Sequence, residues 1–164
     1  GADMELSQVR RIIFAAGNGI SRAPMAAGIL SDLLGEEYPI EILARGLVVA
    51  FPEPLNQKTE AVLAGKGISM EGFSSKELKN EEITDKTLIF TMDQKQRKQI
   101  LAHFDSANEE NVYVLSYYVG EELETMDPYG GPLATYGLCY ETLRNSLTKF
   151  VDRLKQEKEE KNCE

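Results

Sequence analysis

The sequence predicts an α/β protein built on a single parallel sheet, and three observations carry that prediction. Compact apolar runs alternate along the chain with stretches whose apolar residues recur at helical spacing, the pattern of successive βαβ units. The first apolar run leads through a glycine-rich stretch, "AAGNGISRAP", directly into a helical pattern. No internal repeat and no linker divides the 164 residues, enough to bury a core as one domain. Residues 4–155 are taken as that domain. Gly1-Ala2-Asp3 ahead of Met4 read as an expression remnant, and 156–164 as a charged tail expected to fray.

The elements follow in order. Val9–Ala15 is a near-continuous apolar run suited to a strand buried on both faces. Met25, Ile29, Leu30, Leu33 and Leu34 then mark a helix, with Pro24 tolerated in its first turn. Ile40–Val49 reads as a second strand and "FPEPLNQ" as a proline-punctuated loop. A helix over 56–66 follows, stopped at Gly67. Thr87–Met92 is a third strand, followed by a helix over 93–104 that Asp93 caps. Asn111–Tyr118 is expected to be a fourth strand. The last helix starts near Pro132 and places Tyr136, Tyr140, Leu143, Leu147, Phe150, Val151 and Leu154 on one face.

Composition narrows the partners. With 27 acidic against 18 basic residues the net charge is -9, which repels nucleic acid and anionic membranes. No apolar run approaches the roughly 18 residues of a membrane span, and the N-terminal stretch lacks the apolar segment of a secretory signal. Cys139 and Cys163 form neither a metal motif nor a disulfide framework, so two free thiols in a reducing cytoplasm are expected. His103, the one histidine, reads as a surface residue near a helix end. The tyrosines at 113, 117, 118, 136 and 140 read as core and rim. Nothing in the sequence calls for a metal or cofactor.

Chemistry concentrates in Ala16–Arg22. A loop between a strand and a helix N-terminus is where open α/β sheets bind anions. Gly17 and Gly19 permit positive φ angles, which let neighbouring amides converge, and Arg22 is able to clamp two oxygens of a tetrahedral oxyanion. Taken alone, the stretch is equally a plain βα turn with a surface arginine. A second stretch, "TMDPYGGPL" (Thr125–Leu133), puts Asp127 before a proline and a tyrosine. By itself it is a good turn opener.

Together, "FAAGNGISRAPMA" and "DPYGG" resemble the low-molecular-weight protein tyrosine phosphatases. That family opens with a strand, Cys-x5-Arg-Ser/Thr-Pro and a helix, and carries a late Asp-Pro-Tyr/Phe. "LARGLVV", "GFSSKEL" and "TLIFTMD" fall in similar register between the two motifs. The resemblance implies a four-stranded parallel sheet in order 2-1-3-4 with helices on both faces. It further implies a loop at the carboxyl edge of the central strand, with the Asp127 segment folded over it. Residues 17 to 22 (Gly17, Asn18, Gly19, Ile20, Ser21 and Arg22) would bind phosphate, Asp127 would act as general acid, and Phe51 and Tyr129 would wall the pocket.

The departures are as informative. Counting back from Arg22, the family cysteine falls on Ala16; a one-residue shift puts it on Ala15, also alanine. Ala23 stands where the family has a supporting Ser/Thr, and Ser21 where a second cysteine is common. Alanine has no lone pair, so covalent phosphoryl transfer through position 16 is closed. Three loop positions departing together favour a natural loss over a single engineered substitution. Arsenate reductases and arginine phosphatases share this architecture or loop, and both need thiols that are missing here. Three readings stay open: a binder of phosphate, another tetrahedral oxyanion or a phosphorylated protein, without turnover; a phosphomonoesterase whose cysteine was replaced; or a scaffold with a vestigial loop.

Overall fold

Strand β1 (Arg11–Ala15) lies at the centre of the molecule, with Ile12, Ile13, Phe14 and Ala15 all fully buried. It pairs in parallel with β2 (Glu41–Arg45) on one side and β3 (Thr87–Thr91) on the other; β3 in turn pairs with β4 (Val112–Val114). The order is β2-β1-β3-β4, as expected. The computed structural model describes residues 4–163, so Gly1–Asp3, read above as an expression remnant, and Glu164 of the expected tail lie outside the described residues.

Alternation along β1 and β3 splits the apolar residues between two faces. Ile12, Phe14, Leu88 and Phe90 meet α1 (Arg22–Leu34) and α5 (Leu133–Cys163). Ile13, Ala15 and Ile89 meet Ile100 of α3 (Gln94–His103), together with Leu78 and Ile83. Helix α2 (Gln57–Gly65) packs outside α1 and α5, started by Asn56, whose side chain accepts from the Lys58 and Thr59 amides. Asp93 caps α3 by accepting from the Gln96 amide at 2.7 Å.

Three boundaries differ from the sequence reading. Strand β2 ends at Arg45 rather than Val49, because the Gly46 amide turns to the Lys76 carbonyl and Leu47 and Val48 turn to Gly17. The fourth strand ends at Val114, and a helical turn, α4 (Leu115–Tyr118), replaces its second half. Leu115 and Ser116 are both buried, and the chain closes a helical turn there, the Val119 amide donating to the Leu115 carbonyl at 3.3 Å. Tyr118 meanwhile turns back edge-on to Phe90 at 5.2 Å. The charged tail is helical rather than frayed: α5 runs on to Cys163. Arg153 pairs with Glu157 one turn on within the helix, and Lys158 lies over the Tyr38 ring at 4.7 Å, a contact of the extension with the domain.

Candidate functional site

The loop after β1 is built by two close backbone approaches. Gly17 and Gly19 both have positive φ (+47° and +77°). A Cβ on Gly19 would sit 2.7 Å from the Gly46 nitrogen, and one on Gly46 would sit 2.8 Å from the Asn18 carbonyl carbon. Only two glycines let the loop lie flat on the end of β2. The carbonyls of the loop face outward: Gly17 accepts from Leu47 at 2.7 Å, and Ile20 accepts from Asn56 at 3.0 Å. Turning the carbonyls out turns amides in. Among the described residues, the Gly17, Asn18 and Ser21 amides have no backbone acceptor, whereas Gly19 spends its amide on the Ala16 carbonyl at 2.9 Å. The first helical bond of α1 is Met25 to Ser21, so the Arg22 and Ala23 amides are also left without intrahelical partners.

A cavity of about 320 Å³ opens over this loop, lined by Ala16, Gly17, Asn18, Ile20, Ser21 and Arg22, with Asp127 and Tyr129 from the far segment. Arg22 is 8 % exposed. One of its terminal nitrogens donates to the Thr125 carbonyl at 2.9 Å, and the other lies 3.7 Å from Asp127 Oδ2. Asp127 is 57 % exposed, and its other oxygen accepts from the Tyr129 amide at 3.0 Å, an Asx turn that aims the carboxylate back over the loop. Ala16 is almost fully buried, and Ser21 makes no side-chain capping bond.

The structure therefore brings together eight of the ten residues singled out in the sequence. Gly19 is structural, backed against Gly46. Phe51 is two-thirds exposed and does not line the cavity; it projects from a segment pinned to the loop at Gly17 and again at Ile20. Sequence reasoning missed the Thr125 carbonyl, which leaves no side-chain signature. It also missed what Cys139 faces. This thiol is buried on α5 and lies 3.9 Å from the Met126 carbonyl. Burial pushes it up to about 11, with the Arg22 cation lowering it and the Asp127 charge raising it. Its place at helical spacing between Tyr136 and Leu143 was the available signal.

The family model for low molecular weight phosphotyrosine protein phosphatase matches residues 11–160, so the chain belongs to that family. Among similar proteins is a low molecular weight protein-tyrosine-phosphatase, PtpB of Staphylococcus haemolyticus. It is 30% identical over 145 residues, 85% of this chain and 96% of that one. A protein-arginine-phosphatase of Geobacillus stearothermophilus is 26% identical over 148 residues. The solved structure of YwlE arginine phosphatase from that organism superposes with a TM-score of 0.83 at 26% identity, covering 92% of this chain and 96% of the other. A cysteine-to-serine mutant of YwlE arginine phosphatase with a phosphorylated active-site serine superposes with a TM-score of 0.81 at 24% identity, over 88% and 95% of the two chains.

Proposed function

We propose that this chain binds phosphate, another tetrahedral oxyanion or a phosphorylated residue of a protein at Ala16–Arg22, and does not turn it over. The observation that carries the reading is the meeting of Arg22 and Asp127 over a loop whose inner wall at position 16 is a methyl group. The inward amides and the positive end of α1 favour an anion, and Arg22 adds a full charge held by the Thr125 carbonyl. Asp127 takes the place of the family's general acid, and Tyr129 stands as the aromatic rim for the group that carries the phosphate.

Turnover fails at the nucleophile. The family's covalent route needs an atom with a lone pair at the loop floor, and Ala16 has none. The phosphorylated serine of the YwlE mutant belongs to a chain with a hydroxyl in its active site; the hydroxyl here, Ser21, has no histidine or lysine lining the cavity to act as its base. The missing thiolate also removes a negative charge that would oppose an incoming phosphate. A cytoplasmic setting belongs to the same proposal.

Calorimetric or phosphorus NMR titration with inorganic phosphate tests it. Saturable binding in the micromolar to millimolar range is expected, and Arg22→Ala weakens it by about tenfold or more, one decade per 1.4 kcal/mol. Titrations flat to about 20 mM phosphate, beyond any millimolar Kd, or an Arg22→Ala variant indistinguishable from the parent, would leave the loop a relic on a scaffold.

A further inference from the structure

Tyr129 lines the phosphate cavity and yet is 81 % exposed, so its own packing does little to hold it there. Its place depends on the backbone turn that carries it. The Tyr129 amide on Asp127 Oδ1 at 3.0 Å and the Gly131 amide on the Pro128 carbonyl at 2.9 Å close that turn.

Two contacts dock the turn on the rest of the protein. Ahead of it, the Thr125 carbonyl accepts from Arg22 at 2.9 Å. Behind it, the Gly131 carbonyl accepts from Lys58 Nζ at 2.7 Å. Lys58 is itself exposed, and its ammonium lies 5.7 Å from the ring centroid of the buried Tyr136. Both groups it meets are neutral, so the docking contact is a charge-assisted hydrogen bond rather than an ion pair.

The same helical turn holds the phosphate loop. Lys58 is the second residue of α2. Just before it, the Asn56 amide donates to the Ile20 carbonyl at 3.0 Å, while the Asn56 side chain caps the helix by accepting from the Lys58 and Thr59 amides, each at 3.0 Å. Ile20 lines the cavity from the loop and Tyr129 from the far segment. One capped turn of α2 therefore sets the spacing between them.

Ligands feel that spacing unequally. Inorganic phosphate is met by the loop amides and Arg22 and carries nothing that extends to the Tyr129 ring. An aryl phosphate adds a ring that can pack on it, and a wall already held in place loses less freedom when the ring arrives.

We infer that Lys58 is a positioning residue for aryl phosphates: by holding the Gly131 carbonyl it keeps Tyr129 where a phosphorylated aromatic ring meets it. The inference rests on the phosphate-binding reading above and names what separates a phosphoaryl group from free phosphate at that site.

The test titrates the full chain by calorimetry with inorganic phosphate and with phosphotyrosine capped at both ends, at about pH 8, where both phosphates are doubly ionised. The quantity read is the ratio of the two affinities, from which a change of charge felt by both ligands cancels. Lys58→Gln lowers the preference for phosphotyrosine about fivefold, the scale of one hydrogen bond. Lys58→Arg, which keeps a donor for the carbonyl, restores most of it. Tyr129→Ala lowers the preference by itself, and Lys58→Gln added to it lowers it no further, because the lysine acts through the ring. Phosphate binding by each variant reports that it is folded. A preference unchanged in Lys58→Gln, or lowered equally with and without the Tyr129 ring, overturns the positioning role alone. So does a parent that binds phosphate but not phosphotyrosine. Flat titrations of the parent with both ligands overturn the reading beneath it.

Discussion

The Arg22 guanidinium is shared between two groups of one distant segment: Nη1 on the Thr125 carbonyl at 2.9 Å and Nη2 facing Asp127 Oδ2 at 3.7 Å. The buried arginine is thus positioned by a neutral acceptor and only loosely opposed by an exposed carboxylate. That carboxylate stands at the mouth of the cavity, where an anion must pass. Asp127→Asn therefore tightens phosphate by about threefold at neutral pH, a modest factor because solvent screens an exposed charge. Calorimetry on the two proteins reads it, and weaker binding by the variant would contradict the geometry.

On the reading proposed above, the parent is expected to show no hydrolysis of aryl phosphates above background between pH 5 and 7. Ala16→Cys introduces a thiol nucleophile into the loop and is expected to raise turnover by roughly a thousandfold or more over the parent, the scale on which nucleophile losses are measured. Adding Ala23→Ser, which restores a hydroxyl after the arginine, raises it further. Steady-state kinetics decide the point. Parent turnover that survives Asp127→Ala and Ser21→Ala would refute the non-catalytic reading.

The two loop glycines differ in consequence. Gly19→Ala meets both a positive φ and the Gly46 backbone at 2.7 Å, whereas Gly17→Ala meets only a positive φ with open space around it. Thermal or denaturant unfolding is expected to show about 1 kcal/mol lost at Gly17 and about 2–4 kcal/mol at Gly19. Phosphate affinity falls with the second, because the loop can no longer lie on β2.

Arg45 and Glu82 tie the end of β2 to the segment before β3, with contacts from 2.7 to 3.0 Å. Burial alone would raise the Glu82 carboxyl. The Arg45 hydrogen bond, the Lys79 amide and the charges of Arg45 and Arg11 outweigh it and hold the group below its ordinary value of 4.5. Stability from this pair is therefore present above that ordinary value and is lost as pH falls through the lower folded-state value. Glu82→Gln destabilises the protein by about 1–2 kcal/mol at neutral pH and flattens the acid limb of its stability profile. An unchanged acid limb would show that the pair carries none of it.

Cys139 is buried and pushed up to about 11, while Cys163 is exposed. Because the thiolate is the reactive form, an aromatic disulfide reagent at pH 8 titrates one thiol per native chain and two after denaturation. Rapid reaction of both thiols in the native protein would mean that the Met126–Asp127 segment opens freely over Cys139.

Much of this architecture is written in local pattern. Apolar residues at spacing two and near four decide which face of each segment is buried, which is why Ile12, Phe14, Met25, Ile29, Tyr136 and Phe150 could be assigned to the core before any coordinates. The same holds for Asp93 and Asn56, whose capping chemistry is a matter of three residues. The glycine loop with Arg22, and the Asp127-Pro128-Tyr129 turn, were legible as separate motifs for that reason. Only the folded chain decides what those motifs meet. The carbonyl of Thr125 that orients Arg22, the flat contact of Gly19 on Gly46, and the Gly131 carbonyl that takes Lys58 all depend on backbone atoms every residue carries, so no residue type announces them. The boundaries that differed share this origin: β4 stops and α5 continues because Tyr118 and Lys158 find partners far along the chain, on Phe90 and Tyr38. Periodicity fixes which side of an element is buried, whereas a contact between distant segments is settled by how the whole chain closes.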